Sequence, residues 1–310
     1  MVGSGGTITA VAAMIMAMRK EQYSSVHGYE ILRSDIVHLH AVLLRKDLKE
    51  RIALQGLNPE RADIIVAGVT LLNELMGHFS ANILLVNERG LRGGLILKAL
   101  RTHGFLPQER KARSWKESLI EFGRACHFDE MHAAQVARLS LQIFDAIAAP
   151  FSLEERNRRL LEAAALLHDV GYLINYSGHH KHTYHLIRHA DLFGFNPLER
   201  ELIAHVARYH RKSLPKNKHE NFSRLSHQDR ALVSRLGGIL RLADGLDRRR
   251  NSLVTALECS LSPVIFMVRL HSKHDVSVEV FGGKTKGDLF EAAFSRKLVL
   301  VDGTSDERAC

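Results

Sequence analysis

Residues 160–173 read Leu-Leu-Glu-Ala-Ala-Ala-Leu-Leu-His-Asp-Val-Gly-Tyr-Leu, and no other stretch constrains the fold as strongly. The composition predicts a buried helix, yet His168 and Asp169 sit side by side near its end. A carboxylate beside an imidazole in an apolar setting must be paired, hydrogen-bonded or bound to a cation, because isolation in low dielectric is strongly unfavourable. Consecutive helical positions point about 100° apart, so both side chains reach one ion only if it lies in the wedge between them. The fold must therefore deliver further polar groups to this helix end.

Two other segments offer them. In the helix predicted over residues 131–143, His132 lies on the apolar stripe continued by Val136, Leu139 and Ile143. In residues 236–246, the stripe Leu236, Leu240 and Asp244 puts a carboxylate where a Leu is expected. Singly, each has an ordinary explanation: a core imidazole bonded to a carbonyl, or an aspartate paired with Arg241 or Arg248. Together, two histidines and two aspartates on three apolar helices predict a divalent metal site with His132, His168, Asp169 and Asp244 as ligands. His168 and Asp169 are also the expected catalytic residues. Imidazole with carboxylate suits Mn, Fe, Zn or Mg and does not choose among them. Asp247, three residues beyond Asp244, is placed to orient a ligand from behind.

Further histidines cluster at 179, 180, 182 and 185, and again at 205 and 210. With Lys181, Arg211 and Lys212 nearby, this density fits a second metal, a phosphate pocket or a solvated basic face. Lys181, His182, His210 and Arg211 are assigned to phosphate binding, whereas His179, His185, His189 and His205 are read as structural.

A chain of 310 residues predicts more than one domain. Residues 1–113 read as α/β: a turn of small residues (Gly3, Ser4, Gly5, Gly6, Thr7) leads directly into a helix, without a strand before it. Such a turn presents backbone N–H groups to a phosphate. A buried strand is expected within residues 61–72, ending at Gly68, and another over 83–86, followed by a Gly-rich segment and a helix from Leu95. Residues 114–257 read as long amphipathic helices. Residues 258–310 read as a small α/β tail, with strands at 264–270, 276–281 and 298–301 and a short helix near Leu289. The fold class is α+β.

Composition closes off several alternatives. Hydrophobic residues make up 45% and charged residues 25%, so disorder is not the theme. Cys126, Cys259 and Cys310 show no disulfide or zinc-ribbon spacing, which fits a reducing cytoplasm. The apolar run 8–18 is too short to span a bilayer, so no membrane partner is expected. A formal charge of +9 predicts attraction to polyanions, but the basic residues are not interleaved with aromatics and there is one Trp, which speaks against nucleic acid.

The order His, His-Asp, Asp resembles the HD superfamily of metal-dependent phosphohydrolases. The whole chain also resembles the later part of the exopolyphosphatase and guanosine pentaphosphate phosphatase family. That resemblance rests on Gly3-Ser-Gly-Gly-Thr-Ile-Thr, Val26-His-Gly-Tyr, Arg61-Ala-Asp-Ile-Ile-Val-Ala-Gly, Arg89-Gly-Leu-Arg-Gly-Gly-Leu, Leu166-Leu-His-Asp-Val-Gly, Ser177-Gly-His-His-Lys-His, Arg208-Tyr-His-Arg-Lys and Leu240-Arg-Leu-Ala-Asp-Gly-Leu-Asp-Arg, in that order. It implies an actin-like (ribonuclease H-like) lobe over 1–113, an HD-type helical domain over 114–257 and the small tail. It further implies that Gly5, Gly6 and Thr7 contact phosphate oxygens, and that residues 63–68 form a strand and turn of that lobe. The first actin-like lobe is expected to be missing, and Gly93 stands where the family has Glu.

The resemblance implies hydrolysis of phosphoanhydride or phosphate ester bonds, with polyphosphate or guanosine penta/tetraphosphate as substrate and a homodimer covering exposed surface. Two rival readings are a binding or regulatory module, and a truncated or split product inactive without its other lobe.

Overall fold

The computed structural model describes residues 1–106 and 114–303; Cys310 and the expected boundary at residue 113 lie outside them. Two compact units emerge. One holds the described residues up to Leu106 together with Gly194–Leu198, and the other holds Ser114–Phe193 and the described residues from Glu199 onward.

In the first unit the elements run β1 (Val2–Ser4), α1 (Gly6–Met18), β2 (Glu30–Leu32), α2 (Arg33–Leu44), α3 (Leu48–Ile52), α4 (Ile65–His78), β3 (Ile83–Asn87) and α5 (Leu91–Thr102). The sheet order is β1-β3-β2, with β1 parallel and β2 antiparallel to β3. Alternation along β3 sends Leu84 and Val86 into a core shared with Val11, Ile36, Leu39, Val69 and Met76, and leaves Ile83 and Leu85 outside.

Three expectations are corrected here. A strand, β1, takes up Gly3 and Ser4 of the expected turn, and its three residues are too few to announce themselves by alternation. Residues 61–72 contain no strand: α4 buries Ile65, Val69, Leu72 and Met76, a spacing of four and three that is helical, so the short apolar run hid a 3.6-residue period. The helix expected from Leu95 begins at Leu91, taking Gly93 and Gly94 into its first turn.

The second unit runs α6 (Trp115–Ala125), α7 (Glu130–Ile147), α8 (Glu155–Leu167), a 3-10 turn (Val170–Leu173), α9 (His179–His189), α10 (Pro197–Arg208, whose first two residues count with the other unit), α11 (Glu220–Ser223) and α12 (His227–Gly245). Next come β4 (Ala256–Leu261), β5 (Ile265–His271), α13 (Ser277–Lys286), α14 (Asp288–Phe294) and β6 (Lys297–Asp302). β5 pairs antiparallel with β4 and parallel with β6.

Helix starts are fixed locally by side-chain caps: Ser114 on Glu117 N–H, Asp129 on His132 N–H and Ser226 on Asp229 N–H. Residues 276–281, expected as a strand, open α13 instead, which buries Glu279, Gly282 and Gly283 against α12. The helical stretch ends at Gly245, and a strand the sequence did not announce, β4, begins at Ala256. The tail expected from residue 258 packs on α12 inside this unit.

One close approach ties the tail to α12. A Cβ on Gly245 would lie 2.7 Å from the Gly282 carbonyl oxygen, and one on Gly282 would overlap the Gly245 carbonyl oxygen. Only glycines let α12 and α13 touch backbone to backbone.

Candidate metal centre

The helix predicted over 160–173 stops at Leu167. His168 caps it in helical geometry, Asp169 turns away at φ −108°, ψ 3°, and the 3-10 turn comes next. This break lets two adjacent residues aim at neighbouring points. Gly171 then allows the turn to press against α9, since a Cβ there would overlap the His179 carbonyl oxygen. That contact carries His179 up to Asp169.

Four imidazoles and two carboxylates converge. His132 Nε2 lies 3.5 Å from Asp244 Oδ1 and 3.9 Å from Asp169 Oδ2, and His168 Nε2 lies 3.4 Å from Asp169 Oδ2 and 3.9 Å from Asp244 Oδ1. On the other side of Asp169, Oδ1 lies 3.3 Å from His179 Nε2 and 3.6 Å from His210 Nε2. All six residues are buried. Two triads meet the geometry of an ion site: His132, His168 and Asp169, and Asp169, His179 and His210, with ligand atoms within 4.8 Å of one another. Asp169 belongs to both.

The rings are held from behind. An acceptor faces each Nδ1: Asp247 Oδ2 at 2.7 Å for His132, and the carbonyls of Ala165 (2.8 Å), Tyr176 (3.1 Å) and Ala207 (2.7 Å) for His168, His179 and His210. With Nδ1–H donating in each case, every neutral ring presents an Nε2 lone pair inward. His132 Nε2, His168 Nε2 and Asp169 Oδ1 lack hydrogen-bond partners among the described residues. His179 Nε2 and His210 Nε2 face each other at 3.2 Å, a contact that two lone pairs hold only with a cation or proton between them. The donor set thus fits divalent ions.

Burial lowers the pKa of His168, and lowers that of His210 to about 3, with the His168 ring adding to the effect on His210, so both rings are neutral donors at neutral pH. For His132 burial pulls the same way, but the nearby Asp244 and Asp247 carboxylates outweigh it and raise the ring to about 9. Asp169 and Asp244 are both held well below the usual carboxylate range. Burial opposes this, and the imidazoles, together with Lys286 for Asp244, overcome it.

Not every expected site residue joins the cluster. His132, His168, Asp169, Asp244 and His210 do, and Asp247 stands behind His132 as expected. Lys181 is exposed and His182 half-buried on α9, while Arg211 lies half-buried where its charge is felt by Tyr172 and His180, at the rim. His205, read as structural, is buried against Glu201.

His179 was missed, because within a run of four histidines in seven residues only the packing of the 3-10 turn selects one. Lys286 and Arg250 were missed too, although they pair with Asp244 and Asp169. Neither carries a sequence signal.

In the first unit, Gly3 and Ser4 lie in β1, Gly5 adopts φ 109° ahead of α1, and Gly6 and Thr7 open that helix. The Arg61 guanidinium sits where a Gly6 side chain would be, so the helix start is already flanked by a cation.

Fold and site together define a mixed α/β protein built around a buried imidazole–carboxylate centre. A model described as Ppx/GppA phosphatase, domain III, matches residues 116–277, and one described as the Ppx/GppA phosphatase family matches residues 1–103. The chain belongs to the Ppx/GppA phosphatase family. A curated relative, the guanosine-5'-triphosphate,3'-diphosphate pyrophosphatase of Pseudoalteromonas translucida (strain TAC 125), is 26% identical over 250 residues, covering 80% of this chain and 47% of the relative. The chain therefore spans about half the length of the curated relative it matches. Among solved structures, the Aquifex aeolicus member of the Ppx/GppA family aligns at 26% identity over 33% of this chain and 34% of that one, with a TM-score of 0.30. Among the described residues no helix is long and apolar enough to cross a membrane.

Proposed function

We propose that the buried centre is an HD-type, metal-dependent phosphohydrolase site. His132, His168, Asp169 and Asp244 hold one divalent ion, and Asp169, His179 and His210 hold a second. The observation that carries this reading is the set of inward Nε2 atoms, two of them without hydrogen-bond partners, around a carboxylate whose Oδ1 is equally unpartnered. Burying such groups uncompensated is unfavourable by several kcal/mol, and bound cations remove the penalty.

A bound ion would lower the pKa of a coordinated water and neutralise charge developing on a phosphoryl group. The chain's own residues fix the rings: Asp247 and three backbone carbonyls set the tautomers, and Tyr172 stacks on His179 with centroids 4.0 Å apart. Asp169, shared by both triads, sets their spacing.

The substrate is a phosphoanhydride or phosphate ester, with polyphosphate or a guanosine penta/tetraphosphate the fitting choices in a cytoplasmic setting. The relative's name points to the guanosine compounds. The first unit is read as one lobe of an actin-like phosphatase, with residues 3–7 as its phosphate loop. Its outward apolar residues Val2, Ile83 and Leu85 are the surface that another lobe or a second copy would cover.

A second reading, a binding or regulatory module without turnover, is favoured by the cations already present on Asp169 and Asp244. Assay of the purified chain with Mn or Mg against polyphosphate, guanosine pentaphosphate and a generic phosphomonoester, with the bound ion quantified, separates them. Stoichiometric ion and hydrolysis that both vanish in His168→Ala support the enzyme. Ion binding without turnover supports the module, and absence of bound ion sinks the metal centre.

A further inference from the structure

Lys286 closes α13, and its Nζ pairs with Asp244 Oδ2. Arg250, just after α12, pairs with Asp169 Oδ2, and its other terminal nitrogen lies 3.5 Å from Asp129. Arg250 thus sits on the Asp169 oxygen that faces His132 and His168, whereas Lys286 sits on Asp244 Oδ2 and leaves Oδ1 facing those rings. The cations also stand on the solvent side: the side chains of Asp169 and Asp244 are 7% and 10% exposed, whereas those of Lys286 and Arg250 are 16% and 37% exposed. Both cations are therefore more open to an approaching anion than the carboxylates they cover.

Charge balance gives this arrangement a direction. In the ion-free protein Asp169, Asp244 and Asp247 are matched against Lys286 and Arg250, so the centre has no surplus of positive charge to offer a phosphate. Each divalent ion would add two positive charges and create that surplus. An ion on the carboxylates would weaken their hold on the ammonium and guanidinium, and both donors could then turn to an anion. Both side chains can make the change. Lysine ends in a compact charge on a four-carbon stem, and Arg250 has Asp129 and the Tyr172 hydroxyl, 3.4 Å away, as partners outside the centre.

We propose that Lys286 and Arg250 are exchangeable cations: counter-ions of Asp244 and Asp169 in the ion-free protein, and ligands of substrate phosphoryl oxygens in the ion-loaded protein. This rests on the metal-centre reading and adds to it a coupling. Ion binding and phosphate binding favour each other, because the ion frees the donors that the phosphate uses. It also gives the tail a part in the site, since Lys286 lies beyond residue 277, where the domain III match ends, and reaches Asp244 only through the glycine contact between α12 and α13.

The signature is a pair of opposite effects. Lys286→Met removes a competitor for Asp244 and should leave Mn affinity equal or raise it severalfold. The same change should weaken phosphate binding to the Mn-loaded protein about tenfold to a hundredfold, the usual worth of a charge-assisted hydrogen bond. A merely structural ion pair would leave phosphate affinity untouched. The experiment is calorimetric titration of the full chain with Mn, then of the Mn-loaded and Mn-free protein with inorganic phosphate, for wild type, Lys286→Met and Arg250→Met.

We expect wild type to bind phosphate more tightly with Mn than without, and both variants to keep Mn while losing phosphate. Mn binding with phosphate affinity unchanged within twofold in both variants overturns this inference alone. No Mn bound by wild type overturns the metal centre and this inference together. Should Lys286→Met fail to fold by circular dichroism, Arg250→Met, on the other carboxylate, decides the matter by itself.

Discussion

The cores of the two units differ in kind. Among the described residues, every buried charged or polar side chain lies in the helical unit, at Ser118 or later, and the buried core of residues 1–106 is otherwise apolar or Tyr29. The first unit is stabilised in the ordinary way, by water leaving hydrocarbon surface. The second keeps histidines and aspartates in its interior at a cost that packing alone does not return. Its centre is assembled from α7, the end of α8, α9, the end of α10 and α12, whereas the glycine turn of the first unit is contiguous, partly exposed and open on one side. An interior that tolerates such groups points to a ligand as the compensating partner.

The sharpest way to break this contrast is Asp169→Asn. Because Asp169 stands in both triads, the change should abolish binding at both ion positions, read as metal content by mass spectrometry. Retention of full ion content would show that the two ligand sets are independent. Next in size, Asp247→Ala should lower ion affinity about 10- to 100-fold by releasing the His132 ring, with little change in the fold by circular dichroism.

Gly245→Ala forces a methyl to 2.7 Å from a backbone oxygen and should destabilise the helical unit by about 1–3 kcal/mol in denaturant. The first unit's transition should not move. If both units shift together, they unfold as one.

Acid should also separate the regions. Burial lowers the pKa of His205, against the opposing pull of Glu201. Unfolded, the ring takes up a proton near its ordinary value of 6.5, and folded it does so only at lower pH, so stability falls as pH drops below that value. Glu201, itself held below its usual range despite burial, adds in the same direction as pH falls through its folded pKa. Hydrogen exchange at pH 7 and pH 5 should show protection lost in α9 and α10 before α1 and α4. His205→Phe should reduce the difference.

The smallest effect belongs to the glycine turn. Gly6→Ala meets only the end of the flexible Arg61 side chain and should change stability by less than about 0.5 kcal/mol, leaving ion content in the helical unit as it was. A drop in ion content would mean the two regions communicate.

Much of this was legible in the sequence. A His-Asp pair at the end of an apolar helix, and single polar residues on the apolar stripes of two others, are anomalies that periodicity exposes, because a buried charge is unfavourable wherever it sits. The same periodicity failed at residues 65–72 and 276–281. Short apolar runs satisfy strand and helix templates equally, and only neighbours decide between them.

By itself, then, the sequence determined that His132, His168, Asp169 and Asp244 had to be compensated inside a helical region, and that the chain opened with a glycine turn. Tertiary structure alone decided that His179, rather than His182, completes the second triad, and that Lys286 and Arg250 lie on the carboxylates. The physical reason is range. A buried anomaly is a property of one residue and its helical stripe, whereas a partner brought in from 42 or 81 positions away is selected by backbone contacts such as that of Gly245 with Gly282, which leave no periodic trace.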